Sequence, residues 1–332
     1  MNPSLIIFLS FFCYSFSLNI TRSIPKEYEV APWYEDKPAV ITYSFDDGTY
    51  NQIGKAVPLL DKYSLKASFN LITSWKQDWE GYKIAAKNGH EISSHTVNHP
   101  NLKEQNLETQ MNELKESKKL IEKMIGEECV TLVYPYCVSG DYNIAKKFYI
   151  SGRACSGQLI SPNPDNIFEL SSIVIGNESN YQTSKDLNEW VDKAYIQRKW
   201  VVFLIHGIDG DGGYSTFDSF ELDLHFKYVS KNIDKFWVAT FRDVSKYILE
   251  ANSLVIKESK NEQGNTIIDV SCNYSTSVTK LDFPVTISRE IDSNCFFPNI
   301  IRESDKSGVS TKIISNKITF NVVPGEKYLL RC

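Results

Sequence analysis

The sequence predicts an α/β domain built on a parallel sheet, open or closed into a barrel, followed by a small all-β sandwich. Apolar, β-rich stretches alternate with helical ones between residues 39 and 251, and strands separated by helices pair in parallel. After about Ser253 short strand-like runs alternate with turn residues and no helical pattern remains, which is typical of a sandwich. The 332 residues, 42% of them hydrophobic, suffice for one large domain or for a large and a small one.

The predicted elements follow from hydrophobic periodicity. Strands are expected at 39–45, 66–72, 91–94, 130–136, 200–205 and 237–241, and then at 254–257, 266–272, 285–289, 317–323 and 327–331. Helices are expected at about 52–63, 82–87, 107–125, 141–149, 187–197 and 244–251. The helix at 107–125 is the clearest, because Gly126 supplies its stop signal. Thr183 with Asp186 resembles a capping box before the 187–197 helix.

The N-terminal segment predicts entry into the secretory pathway. Residues 1–18 are expected to be a signal peptide, since Leu5 to Phe12 form an apolar run too short to cross a bilayer comfortably. No Lys or Arg precedes Arg22, so an uncleaved anchor is the alternative. No later stretch is apolar enough to span a membrane. We therefore expect a secreted, extracellular protein with no stable membrane insertion after removal of the leader.

The cysteines and the glycosylation sequons also indicate the secretory pathway. Six cysteines outside the leader predict disulfides, because their spacing does not match a CxxC-type zinc site. Three precede the proposed domain boundary and three follow it, so full pairing needs one bond between the domains, or one thiol stays free in each: they are Cys129, Cys137 and Cys155, then Cys272, Cys295 and Cys332. N-x-S/T sequons that predict glycosylation occur at Asn19, Asn177 and Asn273.

The charge balance excludes one class of partner. With 36 basic against 41 acidic residues the formal net charge is −5, which argues against a nucleic-acid-binding protein.

Polar side chains follow the ends of four predicted strands, where active sites form in parallel α/β folds: they are Asp46 with Asp47, His95, Tyr136 and His206. Neighbouring side chains on an extended backbone point to opposite sides. One carboxylate of the Asp46-Asp47 pair could therefore bind a metal while the other stays free as a base. Taken alone, the pair could equally be a solvated turn.

The histidines complete a metal-site pattern. His95 and His99, four residues apart, are expected on one face of a helical turn, where both imidazoles can meet one ion. With Asp47 they form a set of two His and one carboxylate that leaves positions open for water and substrate, as a catalytic metal requires. His206 is predicted to transfer protons. His90 and His225 lack such a context, and we interpret them as structural.

Four motifs resemble, in order and spacing, those of the NodB-like polysaccharide deacetylases, a family that includes chitin and peptidoglycan deacetylases. They are Ser44 to Gly48, His95 to His99, Tyr134 to Tyr136, and Leu204 to His206. The similarity spans roughly Trp33 to Ala251, and Leu281 to Thr286 resembles the small β module that follows the domain in some members.

The resemblance implies a distorted (β/α) barrel and a role for each motif residue. Asp46 would be the general base and His206 the general acid. Asp47, His95 and His99 would hold a divalent metal, zinc being expected and cobalt or manganese the alternatives. The backbone N–H of Tyr136 would hold the oxyanion.

Two departures from the family pattern stand out. Many members carry an Arg that pairs with the base two residues before the Pro of the third motif, where this chain has Val133. Arg153 is proposed to replace it. The motif that usually supplies an Asp to tune the catalytic His is not recognisable.

The resulting hypothesis is a polysaccharide deacetylase whose catalytic domain covers 30–252 and whose β-sandwich domain covers 253–332. It would release acetate from N-acetyl groups of a β-linked N-acetylglucosamine polymer, with chitin or a related polysaccharide as the substrate. One alternative is an acetylxylan-type O-deacetylase, because the motifs do not separate amides from esters. Another is a catalytically weak carbohydrate-binding protein on the same fold, which the Val133 departure would favour and the complete set of site residues opposes.

Overall fold

The computed structural model describes residues 22–332, so the predicted signal peptide and Asn19 lie outside the described residues. In chain order the strands are β1 (Tyr28–Val30), β2 (Ala39–Asp47), β3 (Ala67–Leu71), β4 (Glu91–Ser94), β5 (Thr131–Val133), β6 (Ser151–Arg153), β7 (Ile173–Val174), β8 (Trp200–Ile205), β9 (Phe236–Val238), β10 (Leu254–Lys260), β11 (Thr266–Cys272), β12 (Val285–Glu290), β13 (Asn299–Arg302), β14 (Gly308–Val309), β15 (Thr311–Ile314), β16 (Lys317–Val322) and β17 (Lys327–Arg331). The helices are α1 (Val57–Lys62), α2 (Trp79–Lys87), α3 (Leu107–Ile125), α4 (Tyr142–Ala145), α5 (Ser184–Gln197), α6 (Ser219–Lys231) and α7 (Phe241–Ser253).

A parallel sheet forms the core of the larger part. Its strands run in the order β6-β5-β4-β3-β2-β8-β7, and β9 pairs with the first residues of β2. All nine residues of β2 are buried, as expected for a central strand covered on both faces. The predicted α/β fold, a distorted (β/α) barrel, is confirmed.

Two antiparallel sheets form the C-terminal part, in the strand orders β1-β12-β16-β15 and β10-β11-β17-β13-β14. Phe320 on one sheet contacts Tyr328 on the other, with ring centroids 6.3 Å apart, so the sheets face each other across a shared core. The predicted all-β region is therefore present. Strand β1 precedes the barrel in sequence but pairs with β12. The proposed boundary at residue 253 falls where α7 ends and β10 begins.

Several elements match their predicted bounds and others do not. The helix at 107–125 and the strands at 91–94 and 200–205 are confirmed, and so is the capping box of Thr183 with Asp186. The predicted helix at 141–149 is wrong in extent, since only Tyr142–Ala145 is helical. Helix α6 was not predicted, and its buried face is Leu222, His225, Phe226 and Val229. The spacing of that face is helical, but it includes a histidine.

The cysteines follow one of the two predicted alternatives. Disulfides join Cys137 to Cys155 and Cys295 to Cys332, and among the described residues Cys129 and Cys272 are free thiols. One free thiol therefore lies on each side of residue 253. None of the helices within 22–332 is both long and apolar enough to cross a bilayer.

Candidate active site

A cavity of about 780 Å³ opens at the carboxyl end of the parallel sheet. It is lined by the predicted site residues Asp46, Asp47, His95, His99, Tyr136 and His206. Strand β2 ends with Asp46 and Asp47, β4 and β8 end directly before His95 and His206, and β5 ends three residues before Tyr136. Residues distant in sequence meet here because these strands are parallel and end at the same edge of the sheet.

Asp47, His95 and His99 converge on one point. One ligand atom from each side chain lies within 4.8 Å of the others. The Nε2 atoms of the two histidines are 3.1 Å apart, and His95 Nε2 is 3.6 Å from Asp47 Oδ1. Ligand atoms about 2.0–2.2 Å from a shared ion lie at such separations from one another. The three side chains therefore fit one divalent cation.

The backbone between the two histidines differs from the predicted helical turn. Thr96 and His99 adopt left-handed conformations, with φ of 68° and 60°, so the segment is an irregular loop. The Glu113 carboxylate on α3 accepts two backbone N–H groups of this loop at 2.9 and 2.8 Å. The imidazoles meet because tertiary hydrogen bonds shape the loop, and not because of helical spacing. Glu113 has no sequence signal that marks it as part of the site.

His95 is fixed as a neutral ligand. Its Nδ1–H donates to the carbonyl of Val133 at 2.9 Å, which leaves Nε2 free to face an ion. Burial lowers the pKa of His95 to about 4, and burial also lowers the pKa of His99. Both imidazoles are therefore neutral at pH 7, the form that binds metal.

Both aspartates belong to β2, but the backbone of Asp47 is not extended as predicted. Asp47 has φ of 74°, and Gln77 Nε2 donates to its carbonyl at 3.1 Å. Both carboxylates line the same cavity, and His95 Nε2 lies 3.6 Å from Asp47 Oδ1 and 3.9 Å from Asp46 Oδ2. Asp47 is the carboxylate whose oxygen lies within 4.8 Å of a ligand atom of both histidines. Burial, and then the charge of Asp46, raise the pKa of Asp47 to about 7. A cation at this place would offset both effects.

Asp46 is held by a buried cation and an amide. Arg153 Nη2 donates to Asp46 Oδ2, and Asn70 Nδ2 donates to Oδ1 at 2.8 Å. Burial alone would raise the pKa of Asp46, but the charge of Arg153 leads the opposing effects and the pKa lies below its ordinary value. Asp46 is therefore a carboxylate at neutral pH.

Arg153 reaches Asp46 from an unexpected strand. Val133 on β5 and Arg153 on β6 are direct register partners. The guanidinium thus comes from the neighbouring strand at the same level of the sheet. Arg153 Nη1 donates a hydrogen bond to Ser172 Oγ at 2.9 Å, which fixes the direction of the guanidinium.

His206 also lines the cavity. Its ring lies edge-on to Tyr214, with centroids 5.0 Å apart. Within residues 22–332 its buried Nδ1 has no hydrogen-bond partner, in agreement with the missing Asp motif. Burial lowers its pKa. His90 and His225, in contrast, are both fully buried away from this cavity.

Tyr136 lies on a tight turn at the rim. Its φ is 56°, and its ring contacts that of His99 at 4.7 Å. Three further aromatic side chains line the cavity and are exposed by 50 to 87%: Tyr50, Trp75 and Tyr214. These three residues could not be predicted to line a site, because lone aromatic residues carry no sequence signal of their own.

Part of the chain is similar to known polysaccharide deacetylases. Residues 34–148 match the family model described as polysaccharide deacetylase. Over 126 residues the chain is 31% identical to "Putative polysaccharide deacetylase YxkH" of Bacillus subtilis (strain 168), covering 36% of this chain and 44% of that protein. Over 286 residues it is 26% identical to "Gellan lyase" of a Bacillus species, covering 80% of this chain and 11% of that protein.

Among solved structures, a "putative polysaccharide deacetylase from Mycobacterium smegmatis" shares the fold, with a TM-score of 0.51 and 13% identity, over 66% of this chain and 95% of that one. The chain spans less than half of YxkH and about a tenth of the gellan lyase. The likeness to the polysaccharide deacetylases therefore rests on residues 34–148, while the shared fold extends over 66% of the chain.

Proposed function

We propose that this protein is a secreted, metal-dependent polysaccharide deacetylase. It hydrolyses N-acetyl groups of a β-linked N-acetylglucosamine polymer and releases acetate, and chitin is the first substrate that we propose. The observation that carries the proposal is the convergence of Asp47, His95 and His99 on one point beside an Asp46 that is paired with Arg153. A structural metal site would close all ligand positions with protein groups, whereas this one faces a cavity.

Each residue of the site has a place in the proposed reaction. A divalent cation held by the three ligands would supply Lewis acidity toward the acetyl carbonyl. Asp46, already a carboxylate, would take the proton of the attacking water. The backbone N–H of Tyr136 would donate to the developing oxyanion. His206 would give a proton to the departing sugar nitrogen.

Aromatic side chains around the cavity favour a sugar substrate. Trp75 and Tyr136 flank His99, with ring centroids 6.3 and 4.7 Å from its ring, and Tyr50 and Tyr214 stand on the other loops of the rim. Exposed aromatic faces can stack on the apolar face of a pyranose. This rim supports a polysaccharide in general, so peptidoglycan and acetylxylan are the substrates against which chitin must be tested.

Secretion is the second part of the proposal. It is supported by the two disulfides, which form in oxidising compartments, and by the exposed sequons at Asn177 and Asn273. Expression in a eukaryotic secretory host, followed by N-terminal sequencing and glycosidase treatment of the medium protein, tests it. Retention of residues 1–18 in the mature protein would instead support the uncleaved anchor.

The experiment on activity uses a panel of substrates. The full-length protein is incubated with chitooligosaccharides, peptidoglycan fragments and acetylxylan, and acetate is measured before and after chelation and after metal is returned. We expect release from the chitooligosaccharides that stops with chelator and resumes with a divalent ion. Chelator-resistant release would contradict the mechanism. Binding to a polysaccharide without release from any of the three would favour the carbohydrate-binding alternative.

A further inference from the structure

The disulfide between Cys137 and Cys155 forms part of the wall of the active-site cavity. Both cysteines line the cavity, whereas the second disulfide, Cys295–Cys332, lies in the antiparallel part of the chain. Cys137 directly follows Tyr136, and Cys155 stands two residues after Arg153. The bond therefore connects the two segments that carry the proposed oxyanion donor and the cation paired with Asp46.

The turn at one end of this bond is in an unfavourable conformation. Tyr136 and Cys137 are consecutive residues in the left-handed region, with φ of 56° and 61°. For residues with a side chain this region carries a steric cost, so contacts elsewhere must stabilise the turn. The Cys137 and Val138 amides donate to the carbonyls of Tyr134 and Pro135, both at 3.1 Å. These two hydrogen bonds are local to the turn, so the disulfide is the covalent tie between the turn and its neighbour.

The other end of the bond is fixed to the sheet. Arg153 pairs in register with Val133, and its carbonyl accepts the Tyr134 amide at 3.1 Å. Beyond the strand, Ala154 donates to Leu170 at 2.7 Å. Cys155 is thus anchored to backbone that does not belong to the turn. A tie from this anchor to Cys137 limits how far the Tyr136 amide can move from the site.

We propose that the Cys137–Cys155 disulfide is a positioning element of the active site, which keeps the Tyr136 amide aimed into the cavity and at a fixed distance from the Arg153–Asp46 pair. The inference rests on the proposed function, since it assigns the bond a part in that reaction. The metal ligands lie outside the segment that the bond closes, between residues 137 and 155. The loop that carries His95 and His99 is held by Glu113, so we expect zinc affinity to survive removal of the bond.

The test compares two pairs of substitutions, C137S/C155S and C295S/C332S. The second pair is the matched control, because its residues are 37 apart in sequence against 18 for the first, and a longer loop constrains the unfolded chain at least as strongly. For each protein kcat, KM, zinc affinity by calorimetry and hydrogen exchange of the amides at 134–138 are measured. We expect C137S/C155S to lose about tenfold or more in kcat, with faster exchange at 134–138 and unchanged zinc affinity. The control loses thermal stability but keeps kcat and the exchange pattern.

A second measurement covers the case in which C137S/C155S does not fold. In C295S/C332S protein the Cys137–Cys155 bond is the remaining disulfide of the described residues, and a phosphine reductant breaks it without changing any side chain elsewhere. The same loss of kcat is expected on reduction. Unchanged exchange at 134–138, or a fall in zinc affinity that parallels the fall in kcat, would overturn the inference. If the unmodified protein releases no acetate from any substrate, the proposed function fails, while the exchange data still decide whether the bond holds the turn.

Discussion

Replacing Arg153 by Val probes the ion pair that sets the state of Asp46. The Arg153 and Asp46 side chains are only 1% and 3% exposed, and removal of one partner from such a pair costs about 3–5 kcal/mol because a buried charge is left alone. Burial would then raise the pKa of Asp46, since its leading opposing influence is gone. We expect R153V to be destabilised by about that amount and to lose between about tenfold and a hundredfold in kcat.

A second substitution on the neighbouring strand should restore the ion pair with Asp46. Val133 and Arg153 are partners on adjacent strands, so V133R/R153V exchanges the two side chains at one level and places Arg where many family members have it. We expect the double variant to recover at least half of the lost free energy of unfolding and part of kcat.

Urea unfolding and acetate release at several pH values measure both effects. The matched control is K327V, because the Lys327–Asp269 pair between β17 and β11 is exposed on both sides, at 55% and 45%, and its loss should cost no more than about 1 kcal/mol. If R153V is as stable and as active as K327V, the role of the ion pair is refuted. A swap that recovers nothing refutes the argument from register.

Three further predictions follow from the described residues. A divalent ion at a hundred times its dissociation constant should stabilise the protein by about 2.7 kcal/mol, and H99A, which removes a ligand, should show no such shift in thermal melting. Glu250 is buried with one oxygen unpaired, and burial raises its pKa from 4.5 to about 8. Between these pH values the folded state holds a proton that the unfolded state releases, so the free energy of unfolding should fall by a few kcal/mol as pH rises from about 4.5 to 8. Urea titrations at several pH values should show no such fall for E250Q. The same pH dependence in E250Q and the unmodified protein would contradict the prediction. W75A should raise KM for a chitooligosaccharide several-fold with little change in kcat, whereas F220A, which removes a more exposed aromatic side chain outside the cavity, 66% against 50% for Trp75, should change neither.

The chemistry of the site could be predicted because each of its side chains follows a strand. Once β2, β4, β5 and β8 are recognised as parallel, their carboxyl ends must meet at one edge. Asp47, His95 and His99 then form a ligand set by residue type alone. The family resemblance adds the roles of Asp46, Tyr136 and His206, which the geometry accommodates and which stay predictions until tested.

The local backbone of the site could not be predicted. The left-handed conformations of Asp47, Thr96 and His99 depend on hydrogen bonds from residues distant in sequence, such as Glu113. Propensity alone places residues of these types in such conformations only rarely. The expected helical turn between the histidines was wrong for this reason, although the conclusion that both meet one ion did not depend on it.

Some secondary-structure elements were not predicted for a different reason. Strand β6 has three residues and β7 has two, which is too few for a period of two to be visible. Arg153 lies in β6, so its register pairing with Val133 could not be read from the sequence. The sequence showed only that Val133 stands where many family members have Arg. Helix α6 has a regular buried face, and counting His225 as apolar would have revealed it.

The central claim is that Asp47 is a ligand of the metal ion, whereas its neighbour Asp46 is the general base. One paired measurement tests this claim. Zinc binding and acetate release are measured side by side for D46N and D47N, whose side chains keep the shape of aspartate. We expect D46N to bind one zinc ion as tightly as the unmodified protein and to release no acetate above background, and D47N to lose both zinc binding and acetate release. A D47N protein that binds zinc with full affinity, or a D46N protein that remains active, would contradict it.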